Sequence, residues 1–513
     1  MNIEYQLESE LMNKYLINEM SELYSGHYGF WGKTSKHYTK RISLSPSKLR
    51  EWIKNENVSI ATARDDNKLV GYAIATISYN NKSEKKNIIS WITQLVVHQN
   101  FRQHGIGKEL LFSFWGFSNN YAWGIMSSNP YAIRALEKAT HRRVNPKIIK
   151  QREKGLKKFG IEQVSYLDNT TEFVITPKNS KVNTLFPSDI SRIDEKLRNV
   201  TKNDIPWLLG QIDEGWEWLA FTFNDQEKIK LTKTEINKML DVSDRIAHQA
   251  YSKMEMNKKE HFWAKHTKGE IDFIIEKCKL KKNSKIADFG CGIGRHTNKL
   301  IENGYSNIIG IDYSEKLLDK AKHELSNINN FIIGDCRNID LKKTFDTILC
   351  LYDVIGSFID NNENNKVIKN IHKHLENNGH ALISVMNYEL TKSQAKHIFS
   401  LENEHNKLLE LTASDTMQTT GNVFNPDYYM IDKDTNIVYR REQFNCYNQL
   451  PQELIVRDYR YTKIEIEEMF IKLGFEVIFS RYVQAGKWDT ELESTDIKAK
   501  EILLLCKKIP DKL

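Results

Sequence analysis

Residues 285–296 read Lys-Ile-Ala-Asp288-Phe-Gly290-Cys291-Gly292-Ile-Gly294-Arg295-His296. A short apolar run ends in an acid, three glycines follow at alternate positions, and polar helix-forming sequence comes next. Glycine lets the backbone turn sharply and approach a ligand, while the first turn of a helix offers free amide donors. One glycine motif alone is weak evidence. Here a second apolar run, NIIGI (307–311), ends at Asp312, 18 residues after Gly294. A carboxylate at that distance can accept both hydroxyls of a ribose. A third run, FII (331–333), leads into Gly334-Asp335-Cys336, where an acid can reach an adenine amino group. A nicotinamide site would carry GxGxxG; this spacing differs and opens with an acid. A strand-turn-helix without a ligand is the remaining alternative.

The same rhythm continues outward. KIADF (285–289), NIIGI, FII, DTILCLY (346–352) and HALISV (380–385) are apolar runs separated by helical stretches such as SEKLLDKAKHEL. Near-continuous apolar strands alternating with helices predict a parallel sheet covered on both faces. FEVIFS and EILLLCK supply two last strands, after a helix that stops at Gly474. Before that helix, residues 390–460 are too long for a passive loop. They hold a hairpin pattern, YMIDKDTNIVYRREQF, in which Tyr428, Tyr429, Tyr439, Arg440, Arg441 and Tyr447 alternate with apolar positions. That pattern reads as a β-rich lid.

The three acid-and-glycine sites, in this order, resemble the class I S-adenosylmethionine (SAM) dependent methyltransferases over about 260–510. The resemblance implies a Rossmann-like, seven-stranded domain. It implies that Asp288, Gly290, Cys291, Gly292, Gly294 and Arg295 surround the methionine part of SAM. Asp312 and Tyr313 would take ribose and adenine, Asp335 and Cys336 adenine, and Leu351 would border the methyl group. After the fourth strand, Tyr352-Asp353-Val354-Ile355-Gly356 lacks the proline-aromatic motif of base-modifying DNA enzymes and looks more like enzymes acting on small molecules. Tyr352, Asp353 and Tyr388 are the catalytic candidates, with Asn387, Arg460 and Tyr461 as further groups to orient the acceptor. For each of them an ordinary packing role is the competing reading.

In the first half, residues 94–108 read QLVVHQNFRQHGIGK. A strand runs into a basic glycine turn that opens a helix, which makes a nest of amides suited to pyrophosphate. With the helix NPYAIRALEKATH (129–141), this resembles the GNAT acetyltransferases over about 1–225, a mixed α/β fold. The resemblance implies backbone contacts from Leu95, Val96 and Val97 to the pantetheine of acetyl-CoA. Arg102, Gln103, His104, Gly105, Ile106, Gly107 and Lys108 would hold the pyrophosphate, and Asn129 the cofactor arm. Two positions depart from the family pattern: Leu136 stands where a tyrosine acid is usual, and Gln94 where a glutamate is usual. Gln94 is kept as the catalytic position of that strand, with His98, Tyr121 and Tyr131 as substitutes. Glu137 reads as a solvated face residue.

The length of 513 residues suits two or three domains, divided here as 1–228, a helical linker 229–260, and 261–513. The net charge of +7 is spread over a Lys- and Asn-rich composition, so it marks no DNA site and gives RNA no specific support. The six cysteines (278, 291, 336, 350, 446 and 506) show no metal spacing, and no metal is expected. No apolar run reaches bilayer length and the acidic N-terminus is unlike a secretory signal, so a cytoplasmic protein with no membrane partner is expected. The whole reads as a bifunctional acetyl- and methyltransferase for small molecules or short peptides. The alternatives are modification of a macromolecule (a protein N-terminus or an RNA), or a methyltransferase with a silent acetyl-CoA-binding domain. Both acceptors and the oligomeric state stay open.

Overall fold

The computed structural model describes residues 3–8, 10–54, 57–79, 88–202, 205–253, 265–323, 330–445 and 451–510. The chain divides into two compact units. The first is 1–247 with 444–454, and the second is 248–443 with 455–513. The expected linker is largely one helix, Lys233–Lys253, and the division falls inside it; residues 254–260 lie outside the described residues.

In the first unit, β1 (Ile3–Leu7), β2 (Val58–Asp65), β3 (Lys68–Tyr79), β4 (Ile88–Val97), β5 (Ala122–Ser127), β6 (Glu172–Thr176), β7 (Asn179–Phe186) and β8 (Gly215–Phe223) form one sheet in the order β1-β2-β3-β4-β5-β8-β7-β6. The expected turn between β2 and β3 is made by Asp66 and Asn67, both at positive φ (46° and 69°), which suits these residue types. Helices α1 (Lys14–His27), α2 (Pro46–Ile53), α3 (Ile106–Trp115) and α4 (Pro130–Thr140) flank the sheet. Tyr72 of β3 packs with Leu16, Met20 and Tyr24 of α1, whereas the neighbouring Gly71 faces Ile106 and Leu110 of α3. Since successive strand residues point to opposite faces, α1 and α3 lie on opposite sides. The helices α5 (Pro146–Gln151), α6 (Glu153–Gln163) and α7 (Ile193–Val200) had no clear signal in the sequence.

One local feature of this sheet positions the site. Strands β4 and β5 are parallel and paired only from Ile89–Ile92 to Ala122–Ile125, although β4 continues to Val97 and β5 to Ser127. Beyond Ile92 the two strands part. A register shift in the β3–β4 pairing at Thr93 marks the same point.

Helix α8 (Lys233–Lys253) runs across the division, and in the second unit α9 (Thr267–Lys277) is followed by β9 (Ile286–Phe289), α10 (Arg295–Glu302), β10 (Ile308–Asp312), α11 (Glu315–His323), β11 (Phe331–Ile333), β12 (Phe345–Cys350), α12 (Asn361–His374) and β13 (Leu375–Met386). The insertion holds α13 (Tyr388–Gln394) and a separate sheet of β14 (Ile398–Phe399), β15 (Tyr429–Asp432), β16 (Ile437–Asn445) and β17 (Pro451–Tyr459). Strands β18 (Phe475–Gln484), β19 (Lys487–Leu492) and β20 (Glu501–Lys508) close the main sheet, ordered β11-β10-β9-β12-β13-β20-β18-β19. Strands β9 to β13 pair in parallel and β20 is antiparallel to β13. The expected seven strands are present, and β19 is an eighth that the sequence reading did not find. Helices α9 and α10 cover one face through Ile271, Ile274 and Leu300; α12 and the helix Lys463–Lys472 cover the other through Val367, Ile371, Ile466 and Phe470.

The insertion is β-rich as expected, but its residues 444–454 belong to the first unit. There the Phe117 amide donates to the Glu453 carbonyl (2.7 Å), and Gln452 Nε2 donates to the Ser113 carbonyl (2.5 Å). Cys446 and Tyr447 lie outside the described residues.

Candidate active sites

The glycine loop of the second unit is built as the sequence predicts. Gly290, Gly292 and Gly294 all have positive φ (74°, 54° and 69°), a region that L side chains rarely enter. A Cβ on Gly290 would lie 2.2 Å from Val354 Cγ2, and one on Gly294 would lie 2.8 Å from the Phe331 ring. At Gly292 nothing lies within 4 Å of that position, so the loop presents an open cradle there. Asp312 ties this loop to the end of β10. Its Oδ2 accepts from the Gly292 amide (2.8 Å) and its Oδ1 from the Ser314 amide (2.9 Å). Burial pushes the Asp312 carboxyl up against these amide bonds. Asp288 is held from α10 by the Thr297 hydroxyl (2.8 Å). Tyr313 is half-exposed beside Asp312, leaving a ring that an adenine can cover. These residues fit SAM.

Other expected contacts are placed differently. Cys291 packs its sulfur against β10, 2.7 Å from where a Cβ on Gly310 would be, so only its backbone faces the loop. Cys336 and Leu351 are buried in the cores on either face of the sheet. Asp335 is gripped by Arg337 (2.6 Å), which also holds Glu363 (2.7 Å). Arg295 is a correction. Its guanidinium turns to Glu270 of α9 and to Thr267 Oγ1 (3.1 Å) and lies 4.5 Å from the centre of the Tyr352 ring, so it supports the site rather than contacting the cofactor.

Glu270, missed in the sequence, is the hub of this support. It is fully buried and takes bonds from Arg295, His296 Nε2 (2.8 Å) and the Tyr352 hydroxyl. Burial raises its carboxyl, but His296, Arg295 and Tyr352 outweigh that and hold it down at about 2. Tyr352 and Asp353 follow β12 with φ of 59° and 70°, two successive left-handed residues. The Tyr352 amide donates to Ser384 Oγ (2.8 Å). Asp353 is pushed well up, first by burial and then by the charge of Asp458, against the pull of Arg440 and Arg460. A second missed acid, Glu501, opens β20; burial and then the Glu270 charge raise it to about 8.

The other acceptor candidates belong to the framework. Tyr388 packs with Tyr429, Ile431 and Val438 in the core of the insertion, which corrects its reading as catalytic. Asn387 caps α13 and donates to the Ser494 and Ala499 carbonyls (2.7 Å each). Arg460 bonds Asp458 (2.7 Å) and Thr391 (2.8 Å), and the Tyr461 hydroxyl donates to Asn361 (2.6 Å).

In the first unit, the turn after β4 carries Gln103 at φ 65° and Gly105 at φ 93°, and Gly105 caps α3. Ile106 and Gly107 open the helix, so its first amides point into the turn with Gln103 and His104. On its side away from β3, β4 has no strand beside it from Thr93 to Val97 among the described residues, which leaves backbone groups along Leu95, Val96 and Val97 other than the Val97 carbonyl for an extended amide chain. This edge and the amide turn fit the pantetheine and pyrophosphate of acetyl-CoA. Arg102 reaches the Val97 carbonyl (3.1 Å) and that of His27, fixing the turn to the strand. The Lys108 side chain is buried, with its Nζ 3.9 Å from Glu109 Oε1. Asn129 caps α4 by accepting from the Tyr131 amide (3.2 Å).

Gln94 accepts from the Tyr72 hydroxyl (2.8 Å) and, with Trp52, Thr93 and Tyr166, lines a cleft of about 260 Å³. Leu136 is fully buried. Glu137 is not a solvated residue: it is 2% exposed and bonds Arg134 (2.5 Å), Arg143 (2.9 Å) and the Val144 amide. His98 packs against His27 with the rings tilted and their centres 3.8 Å apart, and Tyr121 packs on Phe223. The titratable group that the sequence reading missed is Glu217 of β8. Burial lifts its carboxyl to about 7 against bonds from Thr184 and the Ser128 backbone, and its charge acts on Tyr24, Tyr28 and Tyr166.

The two folds and their loops define a pair of group-transfer domains on one chain. Residues 17–140 match the model of the acetyltransferase (GNAT) family, and residues 286–379 match that of the methyltransferase domain. The chain thus carries a GNAT acetyltransferase domain followed by a methyltransferase domain. It is 26% identical over 132 residues to a glycine/sarcosine N-methyltransferase of Halorhodospira halochloris, covering 25% of this chain and 49% of that protein. A glycine/sarcosine N-methyltransferase of Aphanothece halophytica is 23% identical over 145 residues, covering 27% and 54%. This chain therefore spans about half the length of these curated relatives. Among solved structures, an S-adenosylmethionine-dependent methyltransferase from Clostridium acetobutylicum covers 53% of this chain and 99% of its own, at 16% identity and a TM-score of 0.35. The CcbJ methyltransferase from Streptomyces caelestis covers 51% and 96%, at 12% identity and a TM-score of 0.37. Among the described residues, no helix is long and apolar enough to cross a membrane.

Proposed function

We propose that this chain is a bifunctional transferase that uses acetyl-CoA in its first unit and SAM in its second, on small-molecule or short-peptide acceptors in the cytoplasm. The observation that carries the second activity is the open cradle at Gly292, held by the Asp312 carboxylate at the end of the next strand. The free β4 edge, running into the amide turn at Gly105, supports the first activity.

A silent acetyl-CoA-binding domain is favoured by Gln94 and Leu136, which replace the usual titratable groups. Glu217 weighs against it. With its carboxyl near 7, it supplies a group able to take a proton from an amine on the α1 side of the sheet, beside Tyr24 and Tyr166. Calorimetry on the full chain tests the pair: each cofactor should bind at one site in the micromolar range, about −8 kcal/mol. Transfer of labelled acetyl from acetyl-CoA to an amine acceptor separates an active first unit from a silent one. Absence of acetyl-CoA binding sinks the first activity, and absence of SAM binding the second.

A further inference from the structure

In the second unit, three buried arginines are matched by acids they bond. Arg440 meets Glu442 and Asp458 (2.5 Å to the latter), and Arg460 meets Asp458 (2.7 Å): two cations against two acids. Arg295 is matched by Glu270. Asp353 and Glu501 remain outside these pairs. Asp353 Oδ1 and Glu501 Oε2 are buried without a hydrogen-bond partner, and Glu501 as a whole is only 8% exposed.

Both sit at one edge of the sheet. Asp353 follows the end of β12, and Glu501 is in register with Met386 at the end of β13. In such sheets ligands bind outside the carboxyl ends of the parallel strands. The two carboxyls feel each other's charge, and Glu501 raises Tyr352 as well. The left-handed Tyr352–Asp353 pair holds Asp353 in this position in a backbone conformation that L residues rarely adopt, a kind of strain that concentrates at functional sites.

Each carboxyl keeps one buried oxygen without a partner, although Ser384 bonds Glu501, and such oxygens call for an occupant that brings positive charge and N–H donors. We propose that Asp353 and Glu501 form the subsite for a primary or secondary alkylammonium and that Glu501 takes its proton, making the methyl acceptor an amine nitrogen. This rests on the methyl-transfer reading above.

The steps balance. Entry of the ammonium draws the Glu501 proton off to solvent, leaving a carboxylate–ammonium pair. The ammonium then returns one proton to Glu501, which frees the nitrogen lone pair. That lone pair forms the N–C bond as the carbon–sulfur bond of SAM breaks with its electron pair left on sulfur, so the positive charge passes from sulfonium to nitrogen.

The groups that set the Glu501 carboxyl are Glu270 on α9, Ser384 on β13, Arg295 on α10 and the adjacent Lys500. Tyr352 is the further titratable neighbour. With the empty site raised to about 8, ammonium binding near pH 7 should release up to about one proton.

The test is calorimetry of ethylammonium chloride into the full-length protein with S-adenosylhomocysteine, in two buffers of different ionisation heat. Saturable binding with proton release near pH 7, fading above about pH 9, is expected. Glu501→Gln should weaken ethylammonium at least about tenfold and remove the proton release. Asp353→Asn should weaken it to a similar degree while the release persists, and both variants should hold SAM within about threefold of wild type. The proposal is overturned if the wild type binds SAM but not ethylammonium, if 1-propanol binds equally well, or if Glu501→Gln leaves ethylammonium affinity unchanged. Wild type that does not bind SAM overturns the methyl-transfer reading itself, a result distinct from these.

Discussion

Both units place a glycine turn between a strand and a helix, yet the two turns are held in unlike ways. The turn at 290–294 is clamped from three sides: Val354 lies over Gly290, Phe331 lies against Gly294, and Asp312 ties down the Gly292 amide. The turn at 103–107 has no acid on its amides among the bonds described. It is fixed through Arg102 to two carbonyls and by the cap of α3. A clamped turn couples cofactor binding to the stability of the fold. An open turn separates them, because its free amides serve the ligand and little else.

The sharpest way to break this contrast is Gly294→Val. Positive φ and a ring 2.8 Å from the new Cβ should destabilise the protein by about 3 kcal/mol and abolish SAM binding. A melting curve within a degree of wild type would show that the clamp is an illusion. Asp312→Ala comes next. It frees two backbone amides and removes the carboxylate proposed to take the ribose, so SAM affinity should fall about a hundredfold with a stability loss of about 1–2 kcal/mol. Calorimetry showing unchanged affinity would misplace this residue.

At the open turn, Gly105→Val meets the buried Glu109 carboxylate, 3.0 Å away, and adds the strain of a backbone at φ 93°. Acetyl-CoA affinity should fall about tenfold, with about 1 kcal/mol lost in stability and SAM binding unmoved. Loss of both cofactors together in parallel titrations would contradict the separation. The smallest effect should come from Lys108→Met, which keeps the buried stem and removes a charge already faced by Glu109. Acetyl-CoA affinity should stay within about threefold of wild type. A tenfold loss would return Lys108 to the pyrophosphate.

These loops were legible because glycine at positive φ and an acid at a strand end are local signals. The strands of the parallel sheet were legible as short apolar runs between helical stretches, whereas their order in the sheet was not. Acids set inside apolar sequence were harder to read: Glu217 in GWEWLAFTF, Glu270 in GEIDFIIEK and Glu501 before ILLLC each showed an anomaly but no partner. Their roles depend on residues as distant in sequence as Ser128, Arg295 and Ser384. Glu137 shows the converse. A charge on an amphipathic helix looks solvated until Arg134, Arg143 and the Val144 amide close around it. Strand β19 was missed because KWDTEL is polar and forms an exposed edge.

The membership of 444–454 in the first unit has a consequence for synthesis on the ribosome. That unit is complete only when residue 454 has been made, about two hundred residues after its main stretch ends at 247. Gly116 and Phe117 receive Glu453 as a late neighbour, so the end of α3 waits for it. At about 5–20 residues per second the wait lasts tens of seconds. During that interval the nascent acetyltransferase unit exposes a surface that only its own later sequence can cover. A stop codon anywhere before 444 would leave it exposed for good.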